Sequence, residues 1–249
     1  MRIFGTLDKI MSKPPHIDRK ELKTPDAFLL RGRAVMGFFM THRKRFIPIL
    51  IGAGIVLLGG YTYNLWDQHR IEKGWILYYE AMKLPADKPE RWEKLKAGHE
   101  GQFRGRASLF AAVALADHYF DETKKETTGD SKSASSALAA SWYEKALASS
   151  DLLAAERQLL LVNRGEAWEL QRNLDEALKS YQAAVESGGE AKGLAMLSVA
   201  RIYEAKRDKA KAVETYEKLA ADFNNTEYAK TAKNYLRRLK SPLFSDTGL

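Results

Sequence analysis

The longest apolar run in the chain extends from Phe46 to Trp66 and contains no charged residue. At a helical rise of about 1.5 Å per residue, these 21 residues are roughly 32 Å long, which matches a hydrocarbon core of about 30 Å. Tyr61, Tyr63 and Trp66 lie at its far end, where aromatic rings favour the headgroup region. The pattern predicts one transmembrane helix at 46–66.

A cleaved secretory signal is the alternative explanation for an apolar run near the N-terminus. Such signals have a short basic start, about 7 to 15 apolar residues and a cleavage site of small residues. Here 45 residues precede the run, and bulky rings stand where cleavage would need Ala or Gly. We therefore expect an anchor that is not cleaved.

Beyond Trp66, apolar residues recur at helical spacing, and strand alternation is nearly absent. Ile71 to Met82 predicts a helix beside the membrane that ends before Pro85, and Leu109 to Phe120 predicts a second helix. The polar segment at 121–136 predicts an exposed loop.

An internal repeat appears when residues 158–185 are laid over 193–220, an offset of 35. Small residues then pair with small ones and aromatic residues with aromatic ones. The pairs are Leu161 with Met196, Gly165 with Ala200, Trp168 with Tyr203, Ala177 with Ala212, Tyr181 with Tyr216, and Ala184 with Leu219. Small residues let two helices approach closely, and aromatic rings fill the space between hairpins. The segment resembles the tetratricopeptide (TPR) repeat family, which has a period of about 34 residues.

A weaker copy of the repeat precedes these two. Ala139, Tyr143 and Ala146 reproduce the spacing of the second helix, while Ala116 and Tyr119 match the first. This copy has 11 extra residues, which coincide with the predicted loop. Residues 226–239 predict a capping helix. The fold expected is all-α, a single transmembrane helix followed by a TPR-like α-solenoid over 67–240, with a frayed tail at 241–249.

The charge of the chain is concentrated before the apolar run. Residues 1–45 carry 11 basic and 4 acidic residues, a net +7, whereas the whole chain is +8. Arg43, Lys44 and Arg45 adjoin the run, and basic residues beside an anchor stay in the cytoplasm. We expect the N-terminus in the cytoplasm and 67–249 on the other side, periplasmic if the membrane is a bacterial inner membrane. Nucleic-acid binding is disfavoured, since it needs its charge on a folded face.

The arm at 1–45 is predicted to be largely disordered, because three prolines and scattered charges lack a sustained period. Residues 26–40 are compatible with a short amphipathic helix on lipid or with a segment that only sets topology. Within the anchor, Gly52, Ala53, Gly59 and Gly60 form a stripe of small residues that another membrane helix is able to approach. General occurrence of small residues in such helices explains the stripe equally well.

In a stack of hairpins the first helix of each pair lines the inner surface. The predicted partner-binding groove comprises Val162, Glu166, Glu169, Leu170, Leu197, Arg201, Glu204 and Ala205. Leu159 and Leu194 belong either to this groove or to the core. Glutamates would repel a peptide carboxylate, so we expect a helix or extended segment with apolar anchors and some basic residues.

Catalytic chemistry has no support in the sequence. The five histidines are scattered, there is no cysteine, and neither a metal-binding His motif nor a phosphate-binding glycine loop is found. Asp117 and His118 are adjacent, but adjacent helix residues point in different directions. We predict no catalytic residue, no metal and no cofactor.

The basic flank, the anchor ending in Tyr63 and Trp66, the helix through Trp75 and Tyr79, and the repeats together resemble the YfgM-type family of bacterial inner-membrane proteins. The resemblance implies an ancillary component of the Sec translocon, associated with a periplasmic chaperone and with exported client proteins. The alternative is a structural scaffold subunit in an envelope, secretion or motility assembly. The sequence leaves the oligomeric state open.

Overall fold

The computed structural model describes residues 27–126 and 129–241. Within these ranges the chain is all-α, as predicted, with no strand. The helices are α1 Ala27–Thr41, α2 Arg43–Met82, α3 Pro89–Ala97, α4 Arg106–Lys125, α5 Gly129–Leu147, α6 Ala154–Leu170, α7 Leu174–Glu186, α8 Lys192–Ala205, α9 Lys209–Asp222 and α10 Glu227–Lys240, with a π-helical turn at Gly98–Gln102. The expectations for 1–26 and 242–249 lie outside the described residues.

The chain divides into two compact units, Met1–Leu65 and Trp66–Leu249. In the first unit, the residues of the apolar run are helical, and its large apolar side chains from Ile47 to Leu58 are 50–74% exposed. Among the described helices, α2 alone is long and apolar enough to span a membrane. In the second unit α2 ends at Met82, before Pro85, as the sequence predicts.

From α4 to α10, each helix packs against the next helix along the chain. The two hairpins predicted from the repeat are α6–α7 and α8–α9, and their turns have the same construction. Arg172 and Arg207 have positive φ angles of 60° and 63°. Asn173 and Asp208 then accept the backbone N–H three residues on, at 3.4 and 3.1 Å, and so cap the next helix. The 35-residue offset therefore repeats the turn as well as the helices.

The small positions of the repeat are buried, as predicted, and so are Tyr181 and Tyr216, whereas Trp168 and Tyr203 are half-buried. Ala177, Tyr181 and Tyr216 are completely enclosed. A Cβ atom added to Gly165 would lie 2.6 Å from the Tyr181 ring, so the ring occupies the space that a side chain would need. Tyr143 on α5 is also buried, at 1% exposure. Each hairpin therefore encloses one tyrosine between its helices.

The prediction of a loop at 121–136 is wrong, because both flanking helices extend into this segment. Relative to the next hairpin, α4 runs four residues further and α5 begins seven residues earlier, which accounts for the 11 extra residues.

Small hydroxyl side chains explain why this polar segment is helical. Thr123 and Ser136 are fully buried, and their hydroxyls donate to the carbonyl oxygens of Tyr119 and Ser133, at 2.8 and 3.1 Å. Ser135 donates to Glu126 Oε1 at 2.9 Å. Because these side chains are short and satisfied within the helical hairpin, they pack where a loop was expected.

Helix α3 and the π-helical turn were not predicted from the sequence. Pro89 occupies the start of α3, and Leu95 is its fully buried residue. The sequence does contain a signal for α3, because a proline at the first helical position followed by Trp92 and Leu95, three residues apart, is typical of a short helix. Phe103 ends the π turn by donating its N–H to the Gly98 carbonyl, at 2.7 Å.

The predicted capping helix is confirmed as α10. Thr226 caps it through the Ala229 N–H, and Ala229 and Ala232 are buried. Tyr235 stacks on Tyr216 with ring centroids 5.1 Å apart. The helix therefore closes the core of the last hairpin with one face, while its lysines and arginines lie mainly on the exposed side.

Gln158 fixes the connection between α7 and α8. Its side chain is 3% exposed, and its amide nitrogen donates to the carbonyl oxygens of Ala184, at 3.0 Å, and Gly188. Its carbonyl oxygen accepts the Ala191 N–H at 3.0 Å. Gly188 and Gly189 have positive φ angles of 70° and 80°, which glycine tolerates without strain.

We expect Gln158→Ala to lower the free energy of unfolding by about 2–4 kcal/mol, because buried backbone groups lose their partners. Chemical denaturation of the full chain in detergent, followed by circular dichroism, measures this. Gln102→Ala, at an exposed position of the π turn, is the matched control and should change stability little. Equal losses in both variants would contradict the assignment.

Candidate partner-binding surface

A repeated polar contact links the helices of the predicted groove. Tyr181 on α7 donates its hydroxyl to Glu169 Oε2 on α6, at 2.9 Å. Arg201 on α8 donates to both oxygens of the same carboxylate, at 2.7 and 2.9 Å. Glu169 thus joins its own hairpin to the next one.

The tyrosine and the glutamate of this contact recur 35 residues later, and the arginine recurs 37 residues later. Tyr216 on α9 donates to Glu204 Oε1 on α8, at 2.6 Å, and Arg238 on α10 pairs with that carboxylate. We call the two sets together the tyrosine–glutamate–arginine ladder. Since the ladder uses the first helix of each hairpin, it occupies the surface on which the sequence placed the groove.

The first hairpin has a variant of the ladder. Tyr143 on α5 donates to Asp117 Oδ1 on α4, at 2.6 Å. In the repeat register Asp117 corresponds to Glu166 rather than to Glu169, one helical turn earlier. Burial raises the pKa of all three tyrosines, and the neighbouring carboxylates raise it further. These hydroxyls therefore stay protonated and act as donors.

Three of the predicted groove residues are thus used within the chain, namely Glu169, Arg201 and Glu204. Val162 is 2% exposed, so its side chain belongs to the core and is not available to a partner. Leu170 and Leu197 are half-buried and Ala205 is exposed. Of the two ambiguous leucines, Leu159 is 53% exposed, while Leu194 is half-buried against the core.

Glu166 differs from the other two glutamates. It is half-buried, and among the described residues it has no hydrogen bond or ion pair. Burial raises the pKa of its carboxyl group, and repulsion from Glu169 adds to the shift, while Arg201 and Lys124 oppose it. The expected repulsion of an incoming carboxylate therefore rests chiefly on Glu166, since arginines accompany Glu169 and Glu204.

A cavity of about 1040 Å³ lies between α3 and α4, away from the predicted groove. Its floor includes Trp92 and His118, whose rings stack with centroids 3.9 Å apart and an interplanar angle of 11°. Burial lowers the pKa of His118. Sequence reasoning missed this cavity because α3, which forms one wall, was not predicted.

Asp117 and His118 point in different directions, as expected, since one accepts from Tyr143 and the other stacks on Trp92. The structure brings a second polar pair together, with His99 Nδ1 at 3.0 Å from Ser108 Oγ. The same nitrogen lies 3.0 Å from the Ser108 carbonyl oxygen, which only accepts hydrogen bonds. In the tautomer that donates to this carbonyl, Nδ1 carries the proton and has no lone pair for the Ser108 hydroxyl.

The anchor stripe is open in the first unit. A Cβ atom added to Gly52, Gly59 or Gly60 would meet nothing within 4 Å. Partner packing on this stripe stays a prediction, as does the topological role of Arg43, Lys44 and Arg45.

Comparison of the chain with family models and with curated proteins returns no match.

We expect Glu169→Ala to lower the free energy of unfolding by about 1–3 kcal/mol, because the buried Tyr181 hydroxyl loses its acceptor. Arg201→Ala should cost less than about 1 kcal/mol, because its side chain is 42% exposed in a solvated ion pair. Chemical denaturation of both full-length variants tests this order. A larger loss for Arg201→Ala would mean that the ion pair, rather than the tyrosine, dominates.

We expect Glu166→Gln to raise the melting temperature at neutral pH. A carboxyl group whose pKa is raised by folding favours the folded state only when protonated, so this contribution is lost as the pH rises through the folded-state pKa. The advantage of the variant should shrink as the pH falls from the raised folded-state pKa towards the ordinary glutamate pKa, where both states are protonated. Thermal scans across pH 4–8 measure it, and a constant difference would contradict the assignment.

Proposed function

We propose that this chain is a membrane-tethered interaction protein, with α2 as its anchor and a TPR-like stack of hairpins as its binding domain. The observation that carries the proposal is the hairpin repeated at 35 residues, with the same positive-φ arginine, the same helix cap and the same tyrosine–glutamate bond. Repeat stacks of this kind present continuous surfaces to other proteins.

The charge distribution supports an orientation. Arg43, Lys44 and Arg45 precede the apolar run, and 1–45 carries +7 of the chain's +8. By the positive-inside rule the N-terminus is cytoplasmic and the repeat domain faces the opposite side. We place the protein in a bacterial inner membrane, with the repeats in the periplasm.

The resemblance to the YfgM-type family suggests the partners. In this proposal the repeat domain holds a translocon component, a periplasmic chaperone or an exported client beside the membrane. Leu170, Leu197 and Ala205 are the apolar groove positions with accessible surface, and Glu166 is the groove glutamate that the ladder does not use. Binding alone is the mechanism, with no catalytic step and no cofactor.

We expect a photo-crosslinking amino acid at Leu170 or Ala205 to yield discrete membrane or periplasmic products in living cells. Both positions lie at corresponding places in the repeat, on the first helix of each hairpin. Matched controls are Glu186 and Lys218, which are exposed on the second helices. Products that are absent, or identical at all four positions, would count against the proposal. A crosslink only to another copy of the chain would favour the scaffold alternative.

A further inference from the structure

The α3–α4 cavity is a feature that the proposed groove does not include. It is lined by residues of α3, of α4 and of the turn before α3. The lining from Ala114 to Lys125 spans 12 residues of α4, whose 11 intervals are about 16 Å long at 1.5 Å per residue. An extended chain rises about 3.3 Å per residue, so roughly five residues match this length.

The floor of the cavity is preformed. Trp92 is stacked on His118, and the Arg91 guanidinium lies 4.8 Å from its ring centroid. The Trp92 indole nitrogen also donates to the Ala86 carbonyl, at 2.9 Å. Because these contacts fix the ring, a ligand would not have to order it on binding. The floor therefore offers aromatic surface at low entropic cost.

The charges that line the cavity have an acidic excess. Five carboxylates face three cations, and His118 is neutral at pH 7 because burial lowers its pKa. The lining residues with ionic side chains are Asp87, Glu93, Asp117, Asp121 and Glu122 against Arg91, Lys96 and Lys125.

Some of these charges already have partners. Lys125 pairs with Glu122 at 2.9 Å, and Asp121 pairs with Lys124 at 3.0 Å. Arg91 donates to the Leu84 carbonyl and to Met82 Sδ, at 3.2 Å each.

The carboxylates that remain without a cation stand on both walls. Among the described residues, Asp87 and Glu93 form no ion pair on the α3 side. On the α4 side, Asp117 accepts the Tyr143 hydroxyl, at 2.6 Å, and pairs with no cation in the described part of the chain. A chain lying between the walls would therefore meet negative charge on each side of an aromatic floor. Lysine and arginine suit both the aromatic floor and the acidic walls, since their aliphatic stems cover apolar surface while their charged ends reach outward.

We propose that the α3–α4 cavity is a docking site for an extended, basic segment of a partner protein, held by Glu93 and Asp117 on its two walls. This inference rests on the proposed function and names the partner chemistry. It places that contact at the first hairpin instead of at the groove between α6 and α8, where the ladder already uses the charged residues. Asp117 has two uses in this site, because its carboxylate also holds Tyr143.

The probe is a fluorescein-labelled heptapeptide of alternating lysine and leucine, with a glutamate-for-lysine peptide as its counterpart. Fluorescence anisotropy with the full chain in detergent micelles measures binding. We expect the basic peptide to bind, the acidic one to fail, and the affinity to fall with added salt. Equal binding of both peptides would overturn the inference.

The test variant is Glu93→Gln with Asp117→Asn. The asparagine keeps an acceptor for Tyr143, so the hairpin should still fold, which circular dichroism checks. We expect the dissociation constant of the basic peptide to rise about fivefold to tenfold. The control is Glu186→Gln with Asp222→Asn, which removes the same charge at exposed positions of α7 and α9 and should leave binding unchanged.

Two further outcomes would overturn the inference. Equal weakening in both double variants would show non-specific attraction. Self-association that is lost with Lys233→Glu and Arg237→Glu, on the basic face of α10, would assign the cavity to a second copy. The crosslinks at Leu170 and Ala205 are independent of this cavity. Crosslinks that persist while the peptides fail would leave the proposed function standing and remove only the docking site.

Discussion

The hydroxyl of one buried tyrosine in each hairpin is the constraint on which the repeat domain depends. Tyr143, Tyr181 and Tyr216 fill the space between paired helices, and a phenol enclosed this completely must donate to a partner. In each hairpin the acceptor is a carboxylate on the opposite helix. That choice fixes the register of the two helices and brings an acidic side chain to the surface of the first helix. In the last two hairpins, an arginine of the following first helix completes the contact.

This constraint also explains how the first hairpin absorbs 11 extra residues. The contact between Tyr143 and Asp117 is kept, and the length is added at the connected end of the hairpin, where α4 ends later and α5 begins earlier. The added turns contact each other through buried Ser and Thr side chains with local hydrogen bonds. The acceptor in the first hairpin is Asp117, one helical turn earlier on α4 than the glutamates of the other hairpins. At this position it lines the same cavity as α3. The acidic wall of the α3–α4 cavity follows from that shift.

The charged residues of a repeat surface therefore divide into two groups. Glu169 and Glu204 are structural, because a buried hydroxyl and an arginine depend on each of them. Glu166, Glu93 and Asp87 form no hydrogen bond or ion pair in the described part of the chain, so their carboxyl groups are available for other contacts. Polar side chains are therefore available to a partner only where the helices do not use them in contacts with one another.

The sequence by itself determined the elements that rest on local periodicity. The uncharged run at 46–66, the helical spacing after it and the end of α2 at Met82 follow from patterns within a few turns of helix, and the hairpins at 158–222 follow from the 35-residue repeat. Only the tertiary structure decided which polar residues are buried and which of them bind one another. The sequence predicts a loop at Ser135, Ser136 and Thr123, whereas in the structure a facing helix buries all three. The sequence predicts Glu169 and Arg201 as groove residues open to a partner, whereas in the structure they bind each other, at 2.7 Å. Thr123 and Ser136 bond locally but are buried by a facing helix, and Glu169 has its partners 12 and 32 positions away, so no pattern within a few turns of helix records either outcome.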